Sequence, residues 1–177
     1  LVWLVLGIMT GITQGFSILV SQYYGAREKE NLKCAVAKSY IMTALLSVIV
    51  LAVSEGAVYH VLLFLQTPDN VIDQSTLYMR IYFLGMPFFM LYNYGAAVLR
   101  AVGDTKRPLM FLIAAGIINA CLNMVLVIVF NLGVAGVAIA TIFSQFISCV
   151  LVLRCLNKTD ASYQLRFSKL KIKGYYL

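Results

Sequence analysis

Long apolar runs separated by short polar segments are the main pattern of this sequence. Five runs are almost free of charged residues: about Leu1–Tyr24, Ala35–Leu65, Val71–Ala101, Pro108–Phe130 and Val134–Leu156. A helix needs roughly 20 residues to cross a hydrocarbon core about 30 Å thick, and every run reaches that length. Strands of a membrane barrel would instead alternate over about ten residues. The pattern predicts an all-α integral membrane protein with five transmembrane helices.

The segments between the runs contain residues that end helices or begin new ones. Glycine, proline or aspartate stands at each break, at Gly25, Pro68, Asp69, Gly103, Asp104 and Gly133. Helices joined by such short turns must be antiparallel neighbours. We therefore expect a bundle over residues 1–157, followed by a polar tail over residues 158–177.

The composition agrees with this class of protein. Hydrophobic residues make up 62% of the 177 residues and charged residues only 12%, whereas soluble domains carry about 25% charged residues. Soluble, disordered and disulfide-scaffold proteins are excluded, and nucleic-acid binding is not expected. The sequence also has one histidine and no spacing typical of a hydrolase, a metalloprotease or a phosphate-binding loop, so we expect no enzyme and no cofactor.

Lysine and arginine are confined to alternate connections. Except for Arg80, 13 of the 14 basic residues lie between the first and second runs, between the third and fourth, or at the tail. Basic connections mark the cytoplasmic side of a membrane. We expect a multi-pass protein of the cell membrane with the Leu1 end outside and the tail cytoplasmic. An odd number of crossings, and a first residue already inside a helix, suggest a fragment from which a preceding helix is missing.

Small residues recur every four positions in two of the runs. Gly7, Gly11 and Gly15 form such a stripe in the first, and a second stripe in the last run consists of Gly136, Ala140, Ser144 and Ser148. Small residues let helix backbones approach closely within a membrane. We expect both stripes to be tightly packed helix faces.

Four polar side chains are expected at one depth in the bundle. Asn119 and Asn123 share a helix face, and Asn123 lies seven residues from Phe130, which is about 10 Å at 1.5 Å per residue. Thr141 lies seven residues from Val134, and Tyr78 lies seven residues from Val71. Val134 and Val71 are at the same side of the membrane as Phe130. Either an interhelical hydrogen-bond cluster or a ligand site explains this convergence.

Two charges lie within the runs and need partners. Glu55 is about ten residues from the outer end of the second run, and Arg80 is about nine from the outer end of the third. Their similar depth predicts a structural Glu55–Arg80 ion pair, and the alternative is that each side chain reaches the outer interface independently.

Several motifs occur together in the order found in one transporter family. They are GITQGFSILVSQYYGAREKENLK at residues 11–33, TPD at 67–69, YMRI at 78–81, GMP at 85–87, LRAVGDTKRP at 99–108 and GVAGVAIATIFSQ at 133–145. Residues 1–157 resemble the multidrug and toxic compound extrusion (MATE) transporters, with the first run similar to the family's second helix. The combination of these motifs carries the resemblance.

The resemblance implies a twelve-helix transporter with two lobes, of which this chain would be helices two to six. The family exports drugs and organic cations in exchange for Na⁺ or H⁺, so the expected partners are such small molecules, membrane lipid, and the missing first helix and second lobe. Residues 1–157 would be a partial amino-terminal lobe and residues 158–177 a cytoplasmic linker between lobes.

The resemblance also implies which residues act. The cation-binding positions would be Asn119, Asn123, Thr141 and Tyr78, with Na⁺ as the one metal expected. Many relatives have aspartate at the position of Asn123, and an amide can bind Na⁺ but cannot accept a proton. A substrate cavity between the lobes would be lined partly by three further residues, Tyr92, Asn93 and Gln14.

Two other functions are compatible with such a bundle. A lipid-linked oligosaccharide flippase of the same fold group should carry several basic residues in its cavity, whereas these spans contain only Arg80. A membrane assembly subunit that does not transport is the second alternative. We expect an antiporter, and we expect these 177 residues alone not to transport.

Overall fold

The computed structural model describes residues 2–66 and 68–158, and this part of the chain is helical. Its helices are α1 (Val2–Gly25), α2 (Lys29–Phe64), α3 (Asp69–Leu84), α4 (Met86–Ala101), α5 (Lys106–Met124) and α6 (Gly133–Lys158), with a π-helical segment at Val125–Val129. The prediction of an all-α membrane protein is confirmed. Beyond Lys158, the predicted linker lies outside the described residues.

The five predicted runs correspond to these helices, but the third run is bent. α1, α2, α6 and α5 with its π-helical segment are each long and apolar enough to cross a membrane. α3 and α4 pass the same test only as a pair, which meets at an angle of 43° and, taken as one bent span, makes a fifth candidate. Pro87 lies in the first turn of α4, where it cannot donate the backbone hydrogen bond that would continue α3 in a straight line.

The bend brings α3 and α4 directly against α6. A Cβ atom at Gly85 would lie 2.6 Å from Gln145 Oε1 and 2.9 Å from Ile142 Cγ1. Both distances are shorter than van der Waals contact, so this approach requires glycine. Gln145 therefore lies directly beside the bend between α3 and α4.

α4 is the central helix of the bundle and packs against α1, α2 and α6. All six residues from Tyr94 to Leu99 are buried. The Tyr94 side chain is inaccessible to solvent, and its hydroxyl donates a 2.8 Å hydrogen bond to the Val36 carbonyl of α2. Because α4 is covered on several sides, it fixes the positions of the helices around it.

The connection from α4 to α5 is a compact turn held by its own backbone. Gly103 has a φ of +89° and donates to the Arg100 carbonyl, while the Asp104 N–H donates to the Leu99 carbonyl at 2.9 Å. These two bonds form a Schellman motif, which favours glycine at the left-handed position. Asp104 then accepts a hydrogen bond from the Arg107 backbone N–H at 3.2 Å and caps α5.

One end of the bundle collects the basic residues. Leu32, Leu99 and Leu156 share a buried cluster, so the start of α2 meets the ends of α4 and α6. Arg107 at the start of α5 approaches the Cys155 sulfur of α6 within 3.7 Å. We call this the basic end, and the end with the α2–α3 and α5–α6 connections the opposite end.

The two small-residue stripes have different environments. The α6 stripe from Gly136 to Ser148 is buried as expected. α1 packs against α2 and α4, but its stripe has no partner in the described part of the chain: no heavy atom there lies within 4 Å of a Cβ built at Gly7, Gly11 or Gly15. Met9, Thr13 and Val20 are the buried residues of α1, and two residues correspond to about 200° around a helix. The glycines therefore face away from the described bundle.

Candidate functional site

Asn119 joins α5 to α6 in the α5–α6 polar cluster, which consists of Asn119, Asn123, Thr141 and Ser144. Its Nδ2 donates to Ser144 Oγ at 3.2 Å and lies 3.5 Å from Thr141 Oγ1. Both hydroxyls also donate to carbonyls of their own helix, Thr141 to Val137 and Ser144 to Thr141. The hydroxyl hydrogens are thus directed at the backbone, and the hydroxyl oxygens are left as acceptors.

Asn123 completes the cluster and keeps one acceptor free. Its Nδ2 donates to Asn119 Oδ1 at 3.0 Å, as expected for amides one helical turn apart. Its Oδ1 is buried and has no hydrogen-bond partner among the residues that the structure describes. A buried acceptor without a donor is unfavourable at membrane depth, so this oxygen is suited to a ligand.

The backbone beside Asn123 departs from the regular α-helix. The π-helical segment begins at Val125, two residues later. Leu126 in this segment lies against Gly136 of α6, where an added Cβ would be 3.3 Å from Leu126 Cβ. π-helical turns frequently occur at functional sites. Here the segment closes the α5–α6 interface next to the free amide oxygen.

Tyr78, the fourth predicted member, is not joined to this cluster. Its ring stacks on Tyr82, with ring centroids 5.9 Å apart and an angle of 27° between the planes. No hydrogen bond links its hydroxyl to the cluster within the described ranges 2–66 and 68–158. α3 does pack against α6, so Tyr78 belongs to the neighbouring helix without contributing to the hydrogen-bond network.

Ser144 is a cluster member that the sequence prediction assigned only to packing. It is 6% exposed and accepts from Asn119. The signal was its spacing, because Ser144 is three residues after Thr141 and residues three apart share a helix face. A small-residue stripe and a polar site overlap at this position.

The cluster consists of neutral oxygen and nitrogen groups. Amide and hydroxyl oxygens are ligands for hard cations, and none of these side chains gains or loses a proton near neutral pH. The described residues contain no group of three His, Cys, Asp or Glu side chains that would suit a transition metal. The arrangement fits a monovalent or hard cation.

The structure does not form the predicted Glu55–Arg80 ion pair. No salt bridge links the two residues in the part of the chain that is described, and Glu55 Oε1 is buried without a hydrogen-bond partner there. Arg80 is exposed. The prediction of an ion pair rested on equal depth along the helices, and it fails because the Arg80 side chain is on an exposed face of α3.

The three predicted cavity residues have separate roles. Tyr92 donates a 3.1 Å hydrogen bond to the Pro108 carbonyl and ties α4 to α5. Asn93 donates to the Phe89 carbonyl of its own helix at 2.8 Å. Gln14 is exposed on α1 and lies 3.5 Å from Ser17 Oγ. No hydrogen bond joins these three side chains to one another within residues 2–66 and 68–158.

Comparison with known proteins gives consistent results. The MatE family model matches residues 1–125. A probable multidrug resistance protein of Bacillus subtilis, YoeA, is 35% identical over 173 residues, which are 96% of this chain and 37% of YoeA. A second, YpnP of the same organism, is 34% identical over 149 residues, covering 81% of this chain and 32% of YpnP. The chain therefore spans about a third of the length of these relatives.

Solved structures show the same helix arrangement. A crystal structure described as MATE in the bent conformation matches with a TM-score of 0.87 at 21% identity, over 92% of this chain and 36% of that one. At this identity the likeness establishes the fold and no more.

Proposed function

This chain belongs to the MATE family, and from that premise we propose that it forms part of a secondary active antiporter that exports drugs or organic cations in exchange for Na⁺ or H⁺. The relatives YoeA and YpnP carry names of multidrug resistance proteins. Because the chain spans about a third of their length, the activity proposed is that of the whole transporter, whose remaining helices and second lobe would complete the transport path.

The free oxygen of Asn123 is the observation that carries this proposal. It is buried and lacks a donor in the described structure, and Asn119, to which Asn123 is hydrogen-bonded, contacts the hydroxyl oxygens of Thr141 and Ser144 on α6. A cation held there would be coordinated by oxygens from both α5 and α6. Its binding would stabilise the arrangement in which the two helices are closest, and so favour one transporter conformation over the other.

The chemistry of the cluster supports Na⁺ at this position. An amide oxygen carries a partial negative charge that suits a hard cation, and it is not a base at physiological pH. The cluster contains no basic group that could bind a proton near neutral pH. We therefore propose Asn123, Asn119 and Thr141 as Na⁺ ligands, with Ser144 as an additional ligand or as support for Asn119.

The proposed orientation follows from the basic end. It holds Arg27, Lys33, Arg100, Lys106, Arg107, Arg154 and Lys158, and basic residues remain on the cytoplasmic side. The α5–α6 polar cluster lies nearer to the opposite end, which is the end that would face outward. A cation entering from outside would therefore reach it after a short path.

Drug efflux by the whole protein tests the proposal. The full-length transporter is reconstituted in vesicles, and export of a fluorescent organic cation is followed under a Na⁺ gradient, a H⁺ gradient or neither. Asn123→Leu removes the free oxygen at similar volume, and we expect it to abolish the Na⁺-driven component. Asn31→Leu, an exposed amide on the first turn of α2, is the matched control and should export normally.

The outcomes separate a ligand from a structural amide. Lower stability of Asn123→Leu with unchanged Na⁺-driven export would show that the cluster only holds α5 to α6. Absence of export by the unmodified full-length protein under both gradients would reject the antiporter assignment itself.

A further inference from the structure

Glu55 is a partly exposed acid with one shielded oxygen, and the α5–α6 polar cluster does not use it. It lies in the part of α2 that spans the membrane, nine residues before the helix ends at Phe64. Its Oε1 is shielded from solvent and receives no hydrogen bond from any described residue. A carboxylate without a donor is strongly disfavoured in an apolar environment, whereas a neutral carboxylic acid is tolerated far better.

The helices around Glu55 supply a single compensating charge. α2 packs against α1, α3 and α4. The sequence of α1 contains no Asp, Glu, Lys, Arg or His, and α4 has only Arg100, which is at the basic end. Arg80 is the one basic residue in the sequence of α3. Arg80 is exposed, and no salt bridge joins it to Glu55 among the described residues, so Glu55 Oε1 has no partner there.

The other titratable groups nearby do not replace Arg80. Asp73 lies about two turns before Arg80 on α3 and is exposed. His60 is five residues beyond Glu55 toward the opposite end and is exposed as well, packing edge-on against Tyr59. The tyrosines of α3, Tyr78 and Tyr82, stack on each other. The surroundings thus favour an uncharged Glu55.

We infer that Glu55 is a proton-binding site at membrane depth, with Arg80 as the counter-charge of its deprotonated form. On release, the carboxyl O–H bond breaks, the proton passes to water and the electron pair remains on the carboxylate. The carboxylate then attracts the Arg80 guanidinium from the exposed face of α3. α3 continues through the 43° bend at Gly85 into α4, so a movement of Arg80 toward α2 acts on the central helix.

This site is chemically distinct from the α5–α6 polar cluster. The cluster offers neutral oxygens to a metal cation, and Glu55 offers an exchangeable proton. A lobe with both sites would respond to Na⁺ and to pH through different residues. The inference goes beyond the proposed antiport, because proton binding at Glu55 does not depend on drug export.

Infrared difference spectroscopy tests the proton directly and needs no transport. Spectra of the full-length protein in lipid vesicles are recorded between alkaline and acidic pH, and the carbonyl stretch of protonated carboxyl groups is followed. We expect Glu55→Gln to lose one component at the position typical of a poorly hydrated acid. Glu30→Gln is the matched control on the same helix, since Glu30 is 91% exposed and lies 3.4 Å from Lys33, and it should lose only a hydrated component.

A second variant keeps the test decisive. Arg80→Gln removes the counter-charge and no carboxyl group, so the same component should remain but titrate over a different pH range. Identical spectra for the unmodified protein and Glu55→Gln would overturn the inference. Should Glu55→Gln fail to fold by circular dichroism, an unchanged titration of the buried component in Arg80→Gln would overturn it instead. Loss of drug export in the unmodified protein would affect only the proposed antiport.

Discussion

Polar side chains within the bundle form two groups according to where their hydrogen bonds go. Thr13, Thr43 and Ser148 donate to carbonyls of their own helix, which satisfies a hydroxyl without involving a neighbour. Tyr92, Tyr94 and Asn119 reach a second helix instead. Only the second group determines how the helices are placed relative to one another.

Tyr94→Phe should weaken the contact between α4 and α2. The variant keeps the buried ring and removes only the 2.8 Å hydrogen bond to Val36, and the net loss for such a bond is about 1 kcal/mol. Thermal unfolding of the full-length protein in detergent measures the change. Tyr24→Phe alters an exposed tyrosine and should not shift the melting temperature, and equal shifts in the two variants would contradict the prediction.

At the scale of individual residues, sequence spacing predicted part of the α5–α6 polar cluster. Asn119, Asn123 and Thr141 converge because helical periodicity and depth both follow from counting residues. Glu55 and Arg80 share a depth but not a bond, because counting does not determine which side of a helix faces a neighbour. That depends on packing across the whole bundle.

The bend at Gly85 shows how one residue controls an element. Gly85→Ala would place a Cβ 2.9 Å from Ile142 Cγ1, on a branched side chain with little freedom to move. The same Cβ would lie 2.6 Å from Gln145 Oε1, so this side chain would have to move as well. We expect a loss of stability of about 1–3 kcal/mol, as for other overpacked sites.

Gly116→Ala is the matched control for this experiment. Gly116 is on α5 with no heavy atom within 4 Å of an added Cβ in the described structure. Alanine is favoured over glycine in helices by up to about 1 kcal/mol, so this variant should be neutral or more stable. Both melting temperatures are measured in the same detergent. A melting temperature of Gly85→Ala at or above that of the unmodified protein would contradict the prediction and show that α6 can move to accommodate the added methyl group.

The turn from α4 to α5 allows a helix cap to be compared with an ion pair. Asp104 caps the Arg107 N–H at 3.2 Å and also pairs with the Arg107 side chain at 3.2 Å. A cap contributes about 0.5–2 kcal/mol, and a partly exposed ion pair about 0–1 kcal/mol. Asp104→Ala should therefore be clearly destabilised, while Asp104→Asn, which keeps the acceptor, should retain most of the stability in chemical or thermal unfolding. Equal losses would show that the ion pair dominates.

The sequence predicted the positions of the helices more accurately than it predicted which face of each helix is buried. Each run is long enough to require a membrane-spanning element, so the five spans follow from hydrophobic length alone. The 43° bend depends on how Pro87 and Gly85 combine with α6. The glycine stripe of α1 has no partner among the described residues, because small residues permit close packing without specifying a partner, and Met9 and Thr13 form the face that is buried there.

At the scale of the whole molecule, α4 and α6 organise the bundle. α4 contacts α1, α2 and α6, and α6 contacts α3 and α5 in addition. The other helices present large apolar side chains outward, among them Leu45, Ile117 and Ile128, each more than 60% exposed. Such a surface requires lipid or further protein around it. The outer faces of the described helices are therefore suited to contact with lipid or with further protein.

The orientation of this lobe in the membrane gives the last prediction. Two connections test it, because Cys34 is exposed near the start of α2, at the basic end, and Gln66 is exposed between α2 and α3, at the opposite end. If the basic end is cytoplasmic, a membrane-impermeant maleimide added to intact cells should label Gln66→Cys in a cysteine-free background. A protein that retains only Cys34 should be labelled after permeabilisation and not before. The reverse pattern would place the basic end outside, and the α5–α6 polar cluster would then lie on the cytoplasmic half of the membrane.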